Sequence, residues 1–191
     1  MATDLITLQE YKTYANILGT TQDAQITAMI PRISSFVKQI CRRTFVDYVD
    51  DAKVDVYRGG TAKLYLLETP LIAMQGVEFS YDYGLTYSSL VEYTDYVVDQ
   101  QESCVEFLQT YYQSFNQANA FKLTYTCGYE VLPDDLKLAV LDTLMHQIRN
   151  DGAIHSTKAI GSSTTQLEYL TNAQLPAHIR RTLQLYSENY N

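Results

Sequence analysis

The stretch that decides the fold is residues 121–148, FKLTYTCGYEVLPDDLKLAVLDTLMHQI. Apolar and polar side chains alternate over its first seven residues, which predicts a half-buried β-strand. Gly128 breaks that period, and Pro133 then suits the first position of a helix, because the N–H that proline lacks has no helical partner there. The sequence therefore predicts a strand, a glycine break and a helix that ends near Asn150. The predicted apolar face is Phe121, Leu123, Tyr125 and Cys127 in the strand, and Leu136, Leu138, Leu141, Leu144, Met145 and Ile148 in the helix.

Two amphipathic helices are predicted before this stretch, within the first 45 residues. The first begins at Thr7, which forms a capping box with Glu10, and it ends at Gly19. The second is capped by one of the two threonines that follow Gly19, and it ends near residues 42–43, where arginine cations suit a helix C-terminus. Pro31 either kinks this second helix or marks its true start. The apolar positions are Leu8, Tyr11, Ala15 and Leu18 in the first helix, and Ile26, Ile30, Ile33, Val37 and Ile40 in the second.

Between residues 45 and 126 the apolar period changes to two, which predicts antiparallel β structure. The pair Gly59-Gly60 lies between two short apolar runs and predicts a hairpin that joins residues 54–58 to residues 63–67. Further strands are predicted at residues 76–81, 88–93, 96–99 and 104–108, with a loop at 109–120.

After the helix that ends near Asn150, residues 151–172 are rich in serine and threonine and have few apolar side chains. Such a segment cannot offset its ordering entropy alone, so we expect it to order only when a partner supplies a surface. A last helix starts at Leu175-Pro176 and has a single apolar face, which needs a partner, either the subunit's own core or another protein. That face carries Ile179, Leu183, Tyr186 and Tyr190.

Together these elements predict an α+β fold. A small helical bundle, made of two N-terminal and two C-terminal helices, carries an inserted antiparallel β region. The chain has 191 residues, 46% of them apolar, which is enough for one well-packed core. We expect a single domain over residues 1–191, with the helical body at 5–45 and 132–190 and the β insertion at 46–130.

Negative charge is concentrated in one part of the chain. Residues 64–121 contain eight acids and no lysine or arginine, and they account for the whole net charge of −8, because 14 acids and 14 bases remain elsewhere. The same residues include eight tyrosines. Without bases, this region is not expected to bind nucleic-acid phosphates. The eight acids are Glu68, Glu78, Asp82, Glu92, Asp95, Asp99, Glu102 and Glu106.

Cysteine spacing and hydrophobicity exclude several classes of protein. Cys41, Cys104 and Cys127 are odd in number and lack a CxxC spacing, which indicates a reducing environment and neither a disulfide framework nor a metal site. No apolar run approaches the ~20 residues of a membrane span, and the N-terminus has no signal pattern. We expect a protein that is neither exported nor embedded in a membrane.

Catalysis is not expected either. His146, His155 and His178 lie in unrelated contexts, and none is followed four positions later by a metal-ligating residue. The sequence has no nucleophile elbow and no phosphate-binding glycine loop. We therefore predict no catalytic residue, no cofactor and no metal.

Five segments, in this order, resemble the head-to-tail connector family of tailed bacteriophages, also described as adaptor or head completion proteins. The resemblance covers almost the whole chain, and it rests on the order of the segments more than on any single motif. The segments are TLQEYKTYANILGTTQDAQITAMIPRISSFVKQICRRTF (7–45), LYLLETPLIAMQGVEFSYDYG (64–84), DYVVD (95–99), FKLTYTCGYEVLPDDLKLAVLDTLMHQ (121–147) and LPAHIRRTLQLY (175–186).

The resemblance implies a non-enzymatic protein of the virion neck that is assembled in the host cytoplasm. In this family, commonly about twelve copies form a ring beneath the portal, extend the DNA channel and offer a platform to a stopper or tail-side neck protein. Double-stranded DNA passes through such a ring without sequence-specific binding. The C-terminal segment of such adaptors docks on the portal, and the corresponding residues here are Leu175, Pro176, Ile179, Leu183 and Tyr186.

Charged residues have expected roles in that setting. The acids of the β region either line the channel, where like charge keeps DNA from adhering, or face a tail-side partner together with tyrosines, and we favour the second. These acids are Glu78, Asp82, Glu92, Asp95 and Asp99. Four arginines on the helices are expected to pair with acids of a neighbouring subunit rather than to bind DNA: Arg42, Arg43, Arg180 and Arg181.

One non-enzymatic alternative stays open from the sequence alone. Tyrosines beside carboxylates would also suit a glycan- or protein-binding β module of a virion or cell surface. Such a module does not need two amphipathic helices before its sheet and two after it, which favours the adaptor.

Overall fold

The computed structural model describes residues 3–156 and 175–187, with side chains described up to Arg149 in the first range and throughout the second. The chain forms two compact units. The β unit consists of residues 44–131, and the helical unit consists of the residues on either side of it. The expectation that the whole chain is a single domain stays a prediction.

The described residues contain five helices and seven strands. The helices are α1 (Leu8–Ala15), α2 (Asp23–Cys41), α3 (Thr110–Ser114), α4 (Asp134–Ser156) and α5 (Ala177–Ser187). The strands are β1 (Lys53–Tyr57), β2 (Lys63–Tyr65), β3 (Leu71–Phe79), β4 (Ser88–Ser89), β5 (Tyr96–Asp99), β6 (Cys104–Phe107) and β7 (Phe121–Cys127). This order confirms the predicted α+β fold, in which two helices precede the β region and two follow it.

The helical unit is built around α2 and α4. Helix α2 contacts α1, α4 and α5, and α4 also contacts α1 and α5. Residues three and four positions apart share one helix face, and each fully buried aliphatic side chain contributes about 1.5–3 kcal/mol. Leu138, which was predicted on the apolar face of α4, is exposed instead, because it lies two positions after the buried Leu136. The buried side chains include Ile26, Ile30, Ile33, Val37, Leu136, Val140, Leu144, Ile179 and Leu183.

Helix α1 starts as predicted but ends earlier. The backbone N–H of Glu10 donates to Thr7 Oγ1 at 3.2 Å, and that of Thr7 donates to Glu10 Oε2 at 2.8 Å, which completes the capping box. Asn16 then adopts a left-handed φ of 54° and ends the helix, so the predicted end at Gly19 is wrong. Asparagine tolerates this conformation, which glycine usually supplies. Leu18 therefore lies outside the helix and is 95% exposed.

Pro31 lies inside α2, so this helix does not begin there. Its N-cap, Gln22, makes no side-chain capping bond, and the predicted threonine cap is wrong because Asp23 N–H donates to the backbone carbonyl of Thr20 instead. At the other end Arg42 adopts a left-handed φ of 53°, and its N–H bonds to carbonyls of the last turn.

Helix α4 begins directly after Pro133 and continues to Ser156, beyond the predicted end near Asn150. A glycine inside a helix costs only about 1 kcal/mol relative to alanine, so Gly152 does not end it. Residues 151–156 of the predicted polar segment are therefore helical. Its remainder, and Tyr190 of the last apolar face, lie outside the described residues.

The strands of the β unit form two antiparallel sheets. One has the order β1-β7-β3-β4 and the other has the order β2-β6-β5. Strand β7 has a partner on each side, and Phe121, Leu123 and Tyr125 on its predicted apolar face are fully buried.

The predicted hairpin at Gly59-Gly60 is wrong. Strand β1 pairs with β7, whereas β2 pairs with β6, so the two runs belong to different sheets. The first glycine permits a close backbone approach, because a Cβ at Gly59 would lie 2.1 Å from the carbonyl oxygen of Phe115. A hairpin prediction depends on neighbours in the sequence, and here the strands pair with partners far along the chain.

The other strand predictions hold with changed ends. Strand β5 has the predicted bounds and β6 is one residue shorter, whereas β3 begins at Leu71 and β4 has only two residues. The predicted loop at residues 109–120 contains the short helix α3.

The two ends of the β unit are hydrogen-bonded to each other. The N–H of Tyr129 donates to the carbonyl of Phe45 at 2.7 Å, and the N–H of Cys127 donates to the carbonyl of Tyr48 at 2.9 Å. Gly128 lies between these bonds with a φ of +111°, and a Cβ there would lie 2.2 Å from the carbonyl oxygen of Phe45. Glycine is required at this position because any side chain would meet backbone.

Candidate functional site

The four arginines expected at subunit contacts have different environments. Arg43 is buried, and its Nη1 donates to the carbonyl of Tyr186 at 3.4 Å, which joins the end of α2 to the end of α5 within the subunit. The other three are exposed on the helical unit and form no ion pair with an acid of the described residues. These are Arg42, Arg180 and Arg181.

The residues expected to dock on the portal belong mostly to the helical core. Leu175, Ile179 and Leu183 are buried, and Pro176 is half-buried. The Tyr186 hydroxyl donates to Asp135 Oδ1 at 2.6 Å, which ties α5 to the first turn of α4. Of the two partners that the sequence left open for this apolar face, the subunit's own core covers it. The exposed side chains of α5 include Arg180, Arg181 and Leu185, the last of which is 62% exposed.

Four of the five acids singled out in the β region have local roles. Glu78 on β3 pairs with Lys122 on β7 at 2.5 Å. The other three accept backbone N–H groups within their own turns: Asp82 from Thr86, Asp95 from Val91, and Asp99 from Gln101 and Glu102. Glu92 is exposed, and no described residue forms an ion pair or side-chain hydrogen bond with it.

Two lysines neutralise part of the base-free segment from its ends. Lys63 lies 3.4 Å from Glu102 and 3.6 Å from Glu106, and the hydrogen bond to Glu102 raises the pKa of this lysine. Lys122 pairs with Glu78. Both lysines stand one position outside residues 64–121 in the sequence, which is why a linear charge count missed them.

Charge is nevertheless divided unequally between the two units. The β unit has 13 acids and 4 bases, a formal charge of −9, whereas the rest of the chain has 9 acids and 10 bases, a formal charge of +1. All four bases of the β unit contact groups of that unit. Lys53 lies 3.0 Å from Asp55, Arg58 Nε donates to Asn116 at 2.8 Å, and the two lysines above bind their acids.

Residues 80–87 form a loop held by its own side chains, here called the stapled loop. Asp82 Oδ1 accepts from Ser80 Oγ at 2.7 Å and from Thr86 N–H at 2.8 Å, while its Oδ2 accepts from Thr86 Oγ1 at 2.7 Å. Ser80 Oγ in turn accepts from Gly84 N–H at 2.9 Å. Bonds from the Thr86 backbone and hydroxyl, and from Ser80, favour the carboxylate and lower the pKa of Asp82 to about 2.

The stapled loop holds large apolar side chains in solvent. Tyr81, Tyr83 and Leu85 are 60%, 69% and 86% exposed. The Tyr81 ring lies 4.6 Å from the buried Phe79 ring and 6.1 Å from that of Tyr111, which is also exposed. We call Tyr81, Tyr83, Leu85 and Tyr111 the aromatic platform.

A second loop supports the platform from the side. Asn119 Nδ2 donates to the carbonyl of Tyr83 at 3.3 Å, and the Tyr87 hydroxyl donates to the carbonyl of Asn119 at 3.2 Å. The sequence indicated a tyrosine-rich region but not which tyrosines are exposed. The only sequence signal for this surface is the Ser-x-Asp-x-Gly run at residues 80–84, which is typical of a side-chain-bonded turn.

Two groups of side chains in the described residues resemble reactive or metal-binding sites, but neither has the features of a working one. His178 Nε2 lies 3.5 Å from Asp142 Oδ2, but the histidine side chain is mostly exposed. Asp99, Glu102 and Cys104 place possible metal-ligand atoms within 4.8 Å of one another, a grouping that sequence spacing did not reveal. Lys63 already binds Glu102, and burial raises the pKa of the Cys104 thiol, which disfavours the thiolate that a metal would need.

The three cysteines are free and buried. None of the helices described is both long and apolar enough to cross a membrane.

Comparison with known proteins gives a family and a fold. The head completion protein family matches residues 4–188. None of the curated proteins matches this sequence. Among solved structures, a chain in the neck of an empty GTA particle, computed with C6 symmetry, has a TM-score of 0.56 and 10% identity over 95% of this chain and 89% of that chain.

Two further solved structures have a similar fold. A chain from the virion of the native gene transfer agent (GTA) particle has a TM-score of 0.57 and 11% identity over 95% of this chain and 89% of that one. A chain from the neck of the native GTA particle, computed with C12 symmetry, has a TM-score of 0.52 and 11% identity over 97% and 94%. The family match spans nearly the whole sequence, and the α+β arrangement agrees with these three folds. This chain therefore belongs to the head completion protein family, a family of structural virion proteins and not of enzymes.

Proposed function

We propose that this protein forms an adaptor ring in the virion neck, beneath the portal, where it extends the DNA channel and provides the attachment surface for the next neck or tail component. The observation that carries the proposal is the family match over residues 4–188. The similar folds come from GTA particles, two of them from necks computed with C6 or C12 symmetry, which supports a ring.

Exposed arginines of the helical unit are proposed to contact neighbouring copies. Arg42, Arg180 and Arg181 have no acid partner among the described residues, while the β unit has an excess of acids. Arginine suits interfaces because its planar guanidinium binds carboxylates in two places and stacks on aromatic rings. Arg43 has a role within the subunit instead, because it is buried and binds the carbonyl of Tyr186.

The C-terminal region is proposed to contact the portal. Ile179 and Leu183 are covered by the subunit's own helices, so the contact is proposed for the half-buried Pro176 and for the chain that leads to it. Tyr186 would keep α5 in place during this contact through its bond to Asp135.

Double-stranded DNA is proposed to pass through the ring without sequence-specific binding. A protein binds phosphates by replacing counterions with lysine or arginine, and the four bases of the β unit are already bound to groups of that unit. The tail-side component is proposed to meet a shallow groove of about 510 Å³ that is lined by Glu92, Tyr93, Asp99 and Glu106, among others.

Co-assembly with the portal tests this function. The full chain would be mixed with the portal ring of the same virus and examined by native mass spectrometry and electron microscopy. The expected result is a ring of this protein on the portal, at one stoichiometry. A folded subunit that stays monomeric beside the portal, or that binds glycans as a monomer, would contradict the proposal and favour a binding module.

A further inference from the structure

We infer that the aromatic platform of one copy binds the exposed face of α5 of a second copy, centred on Arg181 and Leu185, and that this is the contact between neighbouring subunits of the ring. The inference rests on the proposed ring function, because it names the two surfaces by which copies join. The sequence alone did not indicate that these two surfaces bind each other.

The platform is prepared for binding before any partner arrives. Asp82, Ser80 and Thr86 fix the stapled loop by hydrogen bonds of 2.7–2.9 Å, and Asn119 holds it from the second loop. A loop that is ordered in the free subunit does not lose that conformational entropy on association, which increases affinity. These hydrogen bonds therefore order a surface that is exposed to solvent in the isolated subunit.

The side chains displayed there are of the type that dominates protein interfaces. Tyrosines are enriched among the residues that contribute most to binding at interfaces. Leu85 is among the most exposed large apolar residues of the described chain, and Tyr81 and Tyr111 extend the surface down to the buried Phe79. The partner should therefore be apolar as well as basic, because the β unit has a charge of −9.

Helix α5 offers such a partner. Arg181 and Leu185 lie four positions apart, so they are neighbours on one helix face, and both are exposed. Arg181 has no acid partner among the described residues. A guanidinium can stack on a tyrosine ring, and Leu185 can cover Leu85, so that the apolar and the basic requirement are met by one helical turn.

Net charge also favours one pairing of surfaces between two copies over another. Two platforms facing each other would bring together two units of charge −9, whereas a platform facing a helical unit joins −9 to +1. A contact between two different surfaces repeats from copy to copy and closes into a ring if the rotation allows it. This geometry is the one that the proposed function requires.

Site-specific cross-linking tests the inference in the full chain. Cys41, Cys104 and Cys127 are buried, and burial raises the pKa of Cys41 to about 12, so engineered surface cysteines are the ones that react. The doubly substituted chain, Leu85→Cys with Leu185→Cys, would be assembled on the portal ring of the same virus and treated with a short bismaleimide. We expect a ladder of covalent oligomers on a denaturing gel.

The control pair is Leu18→Cys with Leu185→Cys. Leu18 is even more exposed than Leu85 but lies on the helical unit, so the same chemistry should give no ladder. Each single cysteine variant should also give none. A ladder from the control pair equal to that of the test pair would overturn the inference.

A second set of variants probes assembly without cross-linking. Tyr83→Ser with Leu85→Ser, and separately Arg181→Glu, should each weaken ring formation on the portal about tenfold or more, whereas Leu18→Ser should leave it unchanged. Circular dichroism should show that all three variants are folded. The inference is overturned, and the proposed function stands, if two results are found together. The first is that these variants form normal rings on the portal, and the second is that the Leu85→Cys with Leu185→Cys chain forms rings without cross-links. Absence of any ring from the unmodified chain overturns both.

Discussion

The β unit and the helical unit differ in how many of their positively charged side chains find a partner within the unit. In the β unit every base contacts a group of the same unit, and apolar side chains are held in solvent on the stapled loop. In the helical unit the side chains that face the bundle are buried, although Leu18, Leu138 and Leu185 are exposed. Three of its arginines, Arg42, Arg180 and Arg181, are exposed without an acid partner among the described residues. The lysines of the β unit therefore contribute to contacts within the subunit, whereas these three arginines are the ones that we propose for contacts with other copies.

The largest expected effect comes from removing the base of the aromatic platform. Phe79 is buried, and its ring lies 4.6 Å from that of Tyr81 and 5.1 Å from that of Phe121. Phe79→Ala should lower the free energy of unfolding by about 3–5 kcal/mol, because it leaves a cavity in the core of the β unit. Tyr81→Ala should cost less than about 1 kcal/mol, as is usual for an exposed position. Urea denaturation measures both, and equal losses would mean that the platform is part of the core.

A smaller loss is expected where the ends of the β unit meet. Gly128→Ala places a Cβ 2.2 Å from the carbonyl oxygen of Phe45 and forces alanine to a φ of +111°. Such backbone strain costs about 1–3 kcal/mol. Gly76→Ala is the matched control, because nothing lies within 4 Å of a Cβ at that position. If the two variants unfold at the same urea concentration, the close backbone approach at Gly128 does not affect the free energy of unfolding.

Replacing one cation in each unit sharpens the comparison of charges. Lys122 lies 2.5 Å from Glu78 and 4.7 Å from the centre of the Tyr87 ring. Lys122→Met should therefore cost up to about 1 kcal/mol of stability, whereas Arg181→Met should change it by less than about 0.5 kcal/mol. Thermal unfolding of the two variants at low and high salt provides the measurement. A larger loss from the arginine would show that it has a role within the subunit.

The smallest effect is local and depends on pH. The pKa of Asp82 is lowered from 3.8 to about 2, so its contribution to the order of the stapled loop is complete above pH 4 and is lost as the pH falls towards 2. Amide hydrogen exchange of Thr86 and Gly84 should accelerate over this interval relative to amides of β7. In Asp82→Asn the same amides should exchange faster already at neutral pH. Protection that is unchanged by acid would show that other bonds hold the loop.

Local patterns predicted local structure well. The Thr7 capping box and the alternation in β7 depend on residues within a few positions of one another. The capping box is found as predicted, and the alternation holds over residues 121–125, after which Thr126 is buried as well. The apolar face of α5 was also recognised, although the sequence did not reveal that the subunit covers it. A periodic pattern defines a face but does not name what packs against it.

Predictions failed where distant parts of the chain meet. Gly59-Gly60 has the local form of a hairpin, but its flanking strands pair with β7 and β6, and only the position of Phe115 explains the first glycine. The ion pairs of the acidic segment were also missed, because Lys63 and Lys122 lie just beyond its ends and bind acids inside it. The platform was missed because exposure of a tyrosine depends on the fold around it.

The bonds that join Tyr129 to Phe45 and Cys127 to Tyr48 have an evolutionary consequence. They bring together the points where the chain enters and leaves the β unit. The two ends at which the β unit interrupts the helical sequence therefore lie close together. A unit inserted in this way behaves as a cassette, which can lengthen its loops or be exchanged for another without changing the span that the flanking helices must bridge. Changes within this cassette therefore leave the ends that the helical unit must join unchanged.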